Sequence, residues 1–298
     1  MPEGASRTAE IVCFFRAMET HRAPAARILE DPYAEVFLGE PWRTFARSPW
    51  SRVVIAPDHP PRGARPPLPT LWPTMQAAML QGFVAARHRE IDDHLRRFLA
   101  DGGDQVVVLG AGYDTRALRF ADALGGRVLI EVDFPATQAR KQALMRQRLP
   151  EATRHVAAYL GVDFLHEVLG EALTRPPFRT GARTFFIWEG VAMYLTESAV
   201  AHTLSTLAAI AGPGTEVVCD MWAEPRGRGL WDTTRRWGAG LLARIGEPLL
   251  FSLAPADAPA FFARHGWRVK DLADGRALGA RWGRPIFPDN SVIHAIKQ

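Results

Sequence analysis

Residues 106–120 read VVVLGAGYDTRALRF. The apolar run breaks at Gly110-Ala111-Gly112 and resumes as a helix-forming stretch from Arg116, the pattern of a buried strand turning tightly into a helix. Such a strand has no polar face, so it needs parallel neighbours on either side and helices above and below. The glycines let backbone approach a nucleotide at the strand's carboxyl end.

The loop also limits which nucleotide. A dinucleotide fingerprint has a third glycine where Thr115 stands, and Asp114 precedes it. A pyrophosphate seeks the bare N–H groups of a helix N-terminus, and a carboxylate in the same loop opposes it. At about 5 Å and an effective dielectric near 20, two like charges repel by roughly 3 kcal/mol. S-adenosylmethionine carries no phosphate but has a sulfonium and an ammonium, so acids near the loop suit it. Its carboxylate requires a cation from elsewhere. Arg87 is a candidate, although spacing alone favours a surface pair with Glu90 or Asp92 on its own helix.

The next two predicted strands also end in acids. RVLIEVD ends at Asp133, placed to accept hydrogen bonds from ribose hydroxyls, with Glu131 on the same face and able to share the task. RHVAAYLGVDF ends at Asp163 and Phe164, an acceptor for an adenine amino group and an aromatic neighbour for its ring. In an open α/β sheet these ends converge on one crevice. The residues point to an adenosine-type cofactor without a pyrophosphate.

Further strands are expected at TFFIWEG, EVVCDMW, GWRVKDL and SVIHAIK, with helices between the earlier ones. The reading is one α/β domain over 1–298 with a doubly wound, mostly parallel sheet. Residues 1–100 form an N-terminal helical lid region, and 223–250 form an inserted helical cap. The proline run 57–73 reads as a connecting loop. A net charge of +4 without a dense Lys/Arg block gives no footprint for nucleic acid. Cys13 and Cys219 are too few for a disulfide framework, and no apolar stretch reaches the roughly eighteen residues of a membrane span. A cytoplasmic protein of open oligomeric state, without membrane partners, is expected.

LGAGYDTRALRF, IEVDFP, GVDF and WEGVAMYL at this spacing resemble the leucine carboxyl methyltransferase family of class I S-adenosylmethionine-dependent enzymes, which have a Rossmann-like sheet. That family includes bacterial O-methyltransferases that tailor polyketides and related metabolites. RAMETHR and ILEDPYAEVF are similar to the segment that precedes the fold in bacterial members. The resemblance implies S-adenosyl-L-methionine as cofactor. It places Arg87 on the cofactor carboxylate, Gly110, Ala111 and Gly112 in the glycine loop, and Asp133 on the ribose. Asp163 with Phe164 falls at the adenine, Glu189 along the cofactor and Tyr194 toward the acceptor as the catalytic residue. Members that methylate a protein C-terminus carry a lysine near the cofactor carboxylate. Here His21 and Arg22 stand in that neighbourhood, which favours a small-molecule acceptor.

Methyl transfer from a sulfonium is an in-line displacement, and alignment is the main task. A carboxylate acceptor needs no base, whereas a hydroxyl needs His, Asp or Tyr within hydrogen-bond reach. No H-E-x-x-H pattern occurs among the nine histidines, so no metal is expected. In the cap region Trp222, Trp231 and Trp237 could wall an aromatic acceptor, and Arg226, Arg228 or Arg235 could hold an anion. Equally, Leu230, Trp237, Leu241 and Ile245 share a helical face that packs on a core. Arg22 and Trp222 are the acceptor-side candidates. The competing readings are an NAD-dependent oxidoreductase, a protein carboxyl methyltransferase and a non-catalytic binding module.

Overall fold

The computed structural model describes residues 7–54, 68–153, 157–162, 169–224, 227, 233, 236, 240, 243 and 248–298. Its sheet has seven strands: β1 (Gln105–Leu109), β2 (Val128–Asp133), β3 (Ala158–Gly161), β4 (Thr184–Trp188), β5 (Glu216–Met221), β6 (Trp267–Asp274) and β7 (Ser291–Lys297). Their order is β3-β2-β1-β4-β5-β7-β6, with β1 to β5 parallel and β7 antiparallel to both β5 and β6. All seven coincide with the apolar runs that predict them.

Alternation along each strand divides the core into two layers. Val106, Val108, Phe185 and Ile187 pack beneath the long helix α4 (Leu68–Ala100), against Phe83, Ile91, Leu95 and Phe98. Val107, Leu109, Phe186 and Trp188 face the other way, toward α9 (Glu197–Ile210) and the short helix α10 (Ala258–Ala263), through Leu204, Leu207 and Phe262. Burial on both faces explains why these strands carry no polar alternation.

The N-terminal helices add a third layer. Cys13, Phe14, Ala17 and Met18 of α1 (Arg7–Thr20) pack with Phe37 and Leu38, with Tyr113 of the glycine loop and with Met145 of α7 (Pro135–Arg148). Phe37 stacks on Tyr113 at 5.2 Å between ring centroids. Helix α4 begins at Leu68, so the expected loop across 57–73 is corrected over its last six residues. Pro69 lies in the first turn, where its missing N–H has no helical partner to lose.

The two ends of the predicted cap meet. Leu253 N–H donates to the Trp222 carbonyl at 3.0 Å and Glu224 N–H to Ser252 Oγ at 2.7 Å, which brings the two ends of the excursion together. Trp231, Trp237, Arg226, Arg228, Arg235, Leu230, Leu241 and Ile245 lie outside the described residues.

Candidate cofactor site

Strand register assembles the site. Leu109 pairs with both Val132 and Trp188, and Trp188 pairs with Cys219. The residues one step further along the four strands are Gly110, Asp133, Glu189 and Asp220. They therefore stand in one row at the carboxyl edge, on either side of the point where the strand order reverses, where open α/β sheets bind ligands.

Gly110 has φ +63°, and a Cβ there would lie 2.3 Å from Val191 Cγ2, so no other residue fits without displacing the chain after β4. Gly112 has φ +48°. Ala111 N–H donates to the Val132 carbonyl at 3.1 Å, while Gly112 N–H donates to Asp133 Oδ2. Asp133 Oδ1 accepts the Phe134 N–H at 2.6 Å. Burial raises the Asp133 pKa, and these two N–H groups oppose the rise. Each carboxylate oxygen retains a second lone pair.

A continuous chain of ion pairs runs from α1 to β5. Arg16 binds Asp31 at 2.7 Å; Arg119 approaches Asp31 and holds Asp92; Arg116 binds Asp92 at 2.7 Å, Glu189 at 2.9 Å and also Asp114. Arg87 completes it, donating from Nε to Glu189 Oε1 at 2.6 Å and from Nη1 to Asp220 Oδ2 at 2.7 Å. Arg16, Arg87, Arg116 and Arg119 thus face Asp31, Asp92, Asp114, Glu189 and Asp220, so the acids exceed the guanidinia by one. His88 Nδ1 lies 2.6 Å from Glu189 Oε1, yet burial drives the imidazole pKa down to about 4 and leaves it neutral at pH 7. Against the effect of burial, Arg87 and Arg116 help hold Glu189 well below the usual carboxylate range. Among the described residues this chain of ion pairs carries net negative charge before Asp133 is counted.

Three expectations are corrected. Arg87 does not form a surface pair with Glu90 or Asp92: its side chain is 6% exposed and bridges two strand tips. Glu90 instead binds Arg281 and Trp282, while Asp92 binds Arg116 and Arg119. Glu131 does not share the duty of Asp133, because it is buried against Lys141 Nζ at 2.5 Å. Asp114 is no open carboxylate: Arg116 neutralises it. It still disfavours a phosphate by another route, since its Oδ1 already accepts the Arg116 N–H at 2.6 Å, one of the donors a phosphate would use.

Of the other candidates, Tyr194 is half-buried in the short turn after β4 (Ala192–Tyr194). The neighbouring Met193 carbonyl accepts the N–H groups of Leu250 and Phe251, which places Tyr194 beside the base of the cap. Trp222 is half-buried where the cap leaves β5. Arg22 is 2% exposed, ion-paired with Glu19 at 2.8 Å and directed toward Gln81, inside the helical layer. Asp163 and Phe164 lie outside the described residues.

Arg16, Asp31, His88, Arg116, Arg119 and Asp220 are not among the sequence-based candidates, and Asp92 enters there only as a helix partner of Arg87. The signal was present: Arg16 interrupts VCFFRAM and Asp220 interrupts EVVCDMW, and a charge inside an apolar run needs a buried partner. Ligand atoms of His88, Asp114 and Glu189 lie within 4.8 Å of one another, a spacing compatible with a metal ion. Arg116 binds both of these carboxylates and Arg87 binds Glu189, so a dication there would face two fixed guanidinia.

The model of the leucine carboxyl methyltransferase family matches residues 9–208. A protein of Frankia alni named as an S-adenosyl-L-methionine-dependent methyltransferase is 30% identical, over 96% of this chain and 91% of its own. One of the same name from Saccharopolyspora erythraea is 31% identical, over 95% of this chain and 90% of its own. Among solved structures, magnesium protoporphyrin IX methyltransferase from Synechocystis with bound SAH is 12% identical, with a TM-score of 0.48 over 84% of this chain and 93% of that one. The chain belongs to the leucine carboxyl methyltransferase family, enzymes that take S-adenosyl-L-methionine as cofactor.

Proposed function

We propose that this methyltransferase transfers its methyl group to an oxygen of a small molecule, a carboxylate before a hydroxyl, in the manner of enzymes that tailor polyketides and related metabolites. The observation that carries the reading is the state of the acids at and beside the strand tips. Asp92, Asp114, Glu189 and Asp220 are all bound to guanidinia, and Asp133 is bound to two backbone N–H groups. His88 is buried against Glu189. None is set up to take a proton, and a carboxylate acceptor has none to give.

The residues fit the cofactor. Gly110 and Gly112 form a cradle that side chains would fill, and the surplus of acid suits a ligand with a sulfonium and an ammonium. When bound, S-adenosylmethionine supplies the electrophilic methyl. Arg87 holds its carboxylate: Nε and Nη1 are occupied, and Nη2 makes no hydrogen bond among the described residues. Gly190, with φ +70°, leaves room beside that nitrogen, where a Cβ would stand in contact at 3.6 Å. Gly110, Ala111 and Gly112 pass along the amino-acid part, Asp133 accepts from the ribose, and Asp163 with Phe164 meets the adenine. Glu189 lies along the cofactor. Tyr194 and Trp222, at the base of the cap, face the acceptor. Arg22, buried against Glu19, is left out of this assignment.

The test is transfer from methyl-labelled cofactor to a panel of aromatic and polyketide-like acids. The expected product is an ester whose label leaves as methanol in mild alkali. Alkali-stable label on oxygen moves the acceptor from carboxylate to hydroxyl; label on nitrogen or carbon, or on the C-terminus of a protein, overturns the reading.

A further inference from the structure

We propose that Asp220 is a positioning residue that aims Arg87 at the carboxylate of the bound cofactor. This rests on the role just given to Arg87. Asp220 lies in β5 between buried Cys219 and Met221 and is fully closed to solvent. A carboxylate in such a place is costly unless every oxygen is engaged. Both are: Oδ2 accepts from Arg87 Nη1 at 2.7 Å and Oδ1 accepts the Gly190 N–H at 2.6 Å.

These bonds close a ring. Glu189, next to Gly190, takes the Arg87 Nε at 2.6 Å. A guanidinium bound only through Nε can swing about its last side-chain bonds. Bound through Nε and Nη1 together, its plane is fixed, and so is the direction of Nη2. The Gly190 contact ties the same carboxylate to the turn that carries Glu189 and leaves room beside Nη2. One side chain therefore sets both the orientation of the cation and the place of the glycine turn beside it.

Competition for Arg87 makes the opposite forecast, and attraction of the ligand ammonium by the Asp220 charge would be kept in Asp220→Glu. If Asp220 merely competed with a ligand carboxylate for Arg87, its neutralisation would strengthen binding. Positioning makes it weaken binding, and only for ligands that have a carboxylate.

Calorimetric titration of the full chain with S-adenosylhomocysteine and 5′-methylthioadenosine separates the possibilities, because the second ligand lacks the amino-acid part. In Asp220→Asn a single amide oxygen must serve two donors. The expected result is about a tenfold loss of S-adenosylhomocysteine affinity, the size of one charge-assisted hydrogen bond, with methylthioadenosine binding unchanged. Unchanged methylthioadenosine binding also reports a folded pocket. If the Asn variant does not fold, Asp220→Glu, which keeps the charge but moves it by one methylene, is expected to give the same selective loss. A folded variant of either kind with equal or tighter S-adenosylhomocysteine binding overturns the proposal. Arg87→Met is the control for the reading beneath it: an unchanged ratio of the two affinities there removes Arg87 from the carboxylate, whatever Asp220 does.

Discussion

Arg16 on the first helix and Asp31, beyond the next turn, meet at 2.7 Å with side chains 2% and 0% exposed. Thr115 of the glycine-loop segment donates its hydroxyl to the same Asp31 oxygen at 2.7 Å, and Arg16 also donates to the Tyr113 carbonyl at 2.7 Å. The N-terminal layer is thus fastened to the loop by buried charge as well as by apolar packing. Asp31→Ala would strand the Arg16 guanidinium in the interior. The expected loss is about 3–5 kcal/mol of folding stability, read by urea denaturation. A loss below about 1 kcal/mol would show that Tyr113 and Thr115 suffice to hold Arg16.

Gly110→Ala adds a methyl where φ is +63° and Val191 Cγ2 lies 2.3 Å away. The backbone strain is about 1–3 kcal/mol, and Val191 must move as well. A lowered Tm together with lost S-adenosylhomocysteine binding is expected. Gly102→Ala, at φ +78° with nothing within 4 Å of its Cβ, is the comparison that carries strain without the clash. It is expected to lower Tm alone.

Asp133→Ala removes the acceptor assigned to the ribose and also the partner of the Gly112 N–H. Cofactor affinity is expected to fall by about 1.5–3 kcal/mol, measured by calorimetry. An unchanged dissociation constant would take the ribose away from Asp133.

Tyr194→Phe leaves the ring in place beside the base of the cap and removes only the hydroxyl. If that hydroxyl orients the acceptor, kcat falls while S-adenosylhomocysteine affinity stays the same. Equal turnover would make Tyr194 a packing residue.

His94, on α4, has its pKa pushed down to about 3, first by burial and then by His294 and Arg97. The two imidazole rings lie 4.1 Å apart. The folded state resists a proton that the unfolded chain accepts near pH 6.5. The stability contributed by neutral His94 is therefore complete above pH 6.5 and is lost as pH falls toward 3. Relative to His94→Gln, the wild type is expected to lose about 1.4 kcal/mol per pH unit across that window. Denaturation of both proteins at pH 7.5, 5.5 and 4.5 measures the difference, and parallel profiles would contradict it. His94→Gln isolates this group from Glu131, whose pKa burial raises to about 7 and which shifts stability in the opposite sense.

The chain alone determined the strands and their meeting place. Val, Ile, Leu and Phe runs without polar alternation are dictated by burial on two faces, and Gly110 and Gly112 follow from positive φ in a tight turn. Asp133 and Glu189 were legible because each stands at the end of such a run. What tertiary structure decided was the pairing of charge. Arg87 and Asp220 are 133 positions apart, and Arg116 joins Asp92 to Glu189 across the sheet. Local spacing favoured helix neighbours for Arg87, but desolvation makes a buried guanidinium take whichever carboxylates the fold brings to it. Only the fold sets which those are.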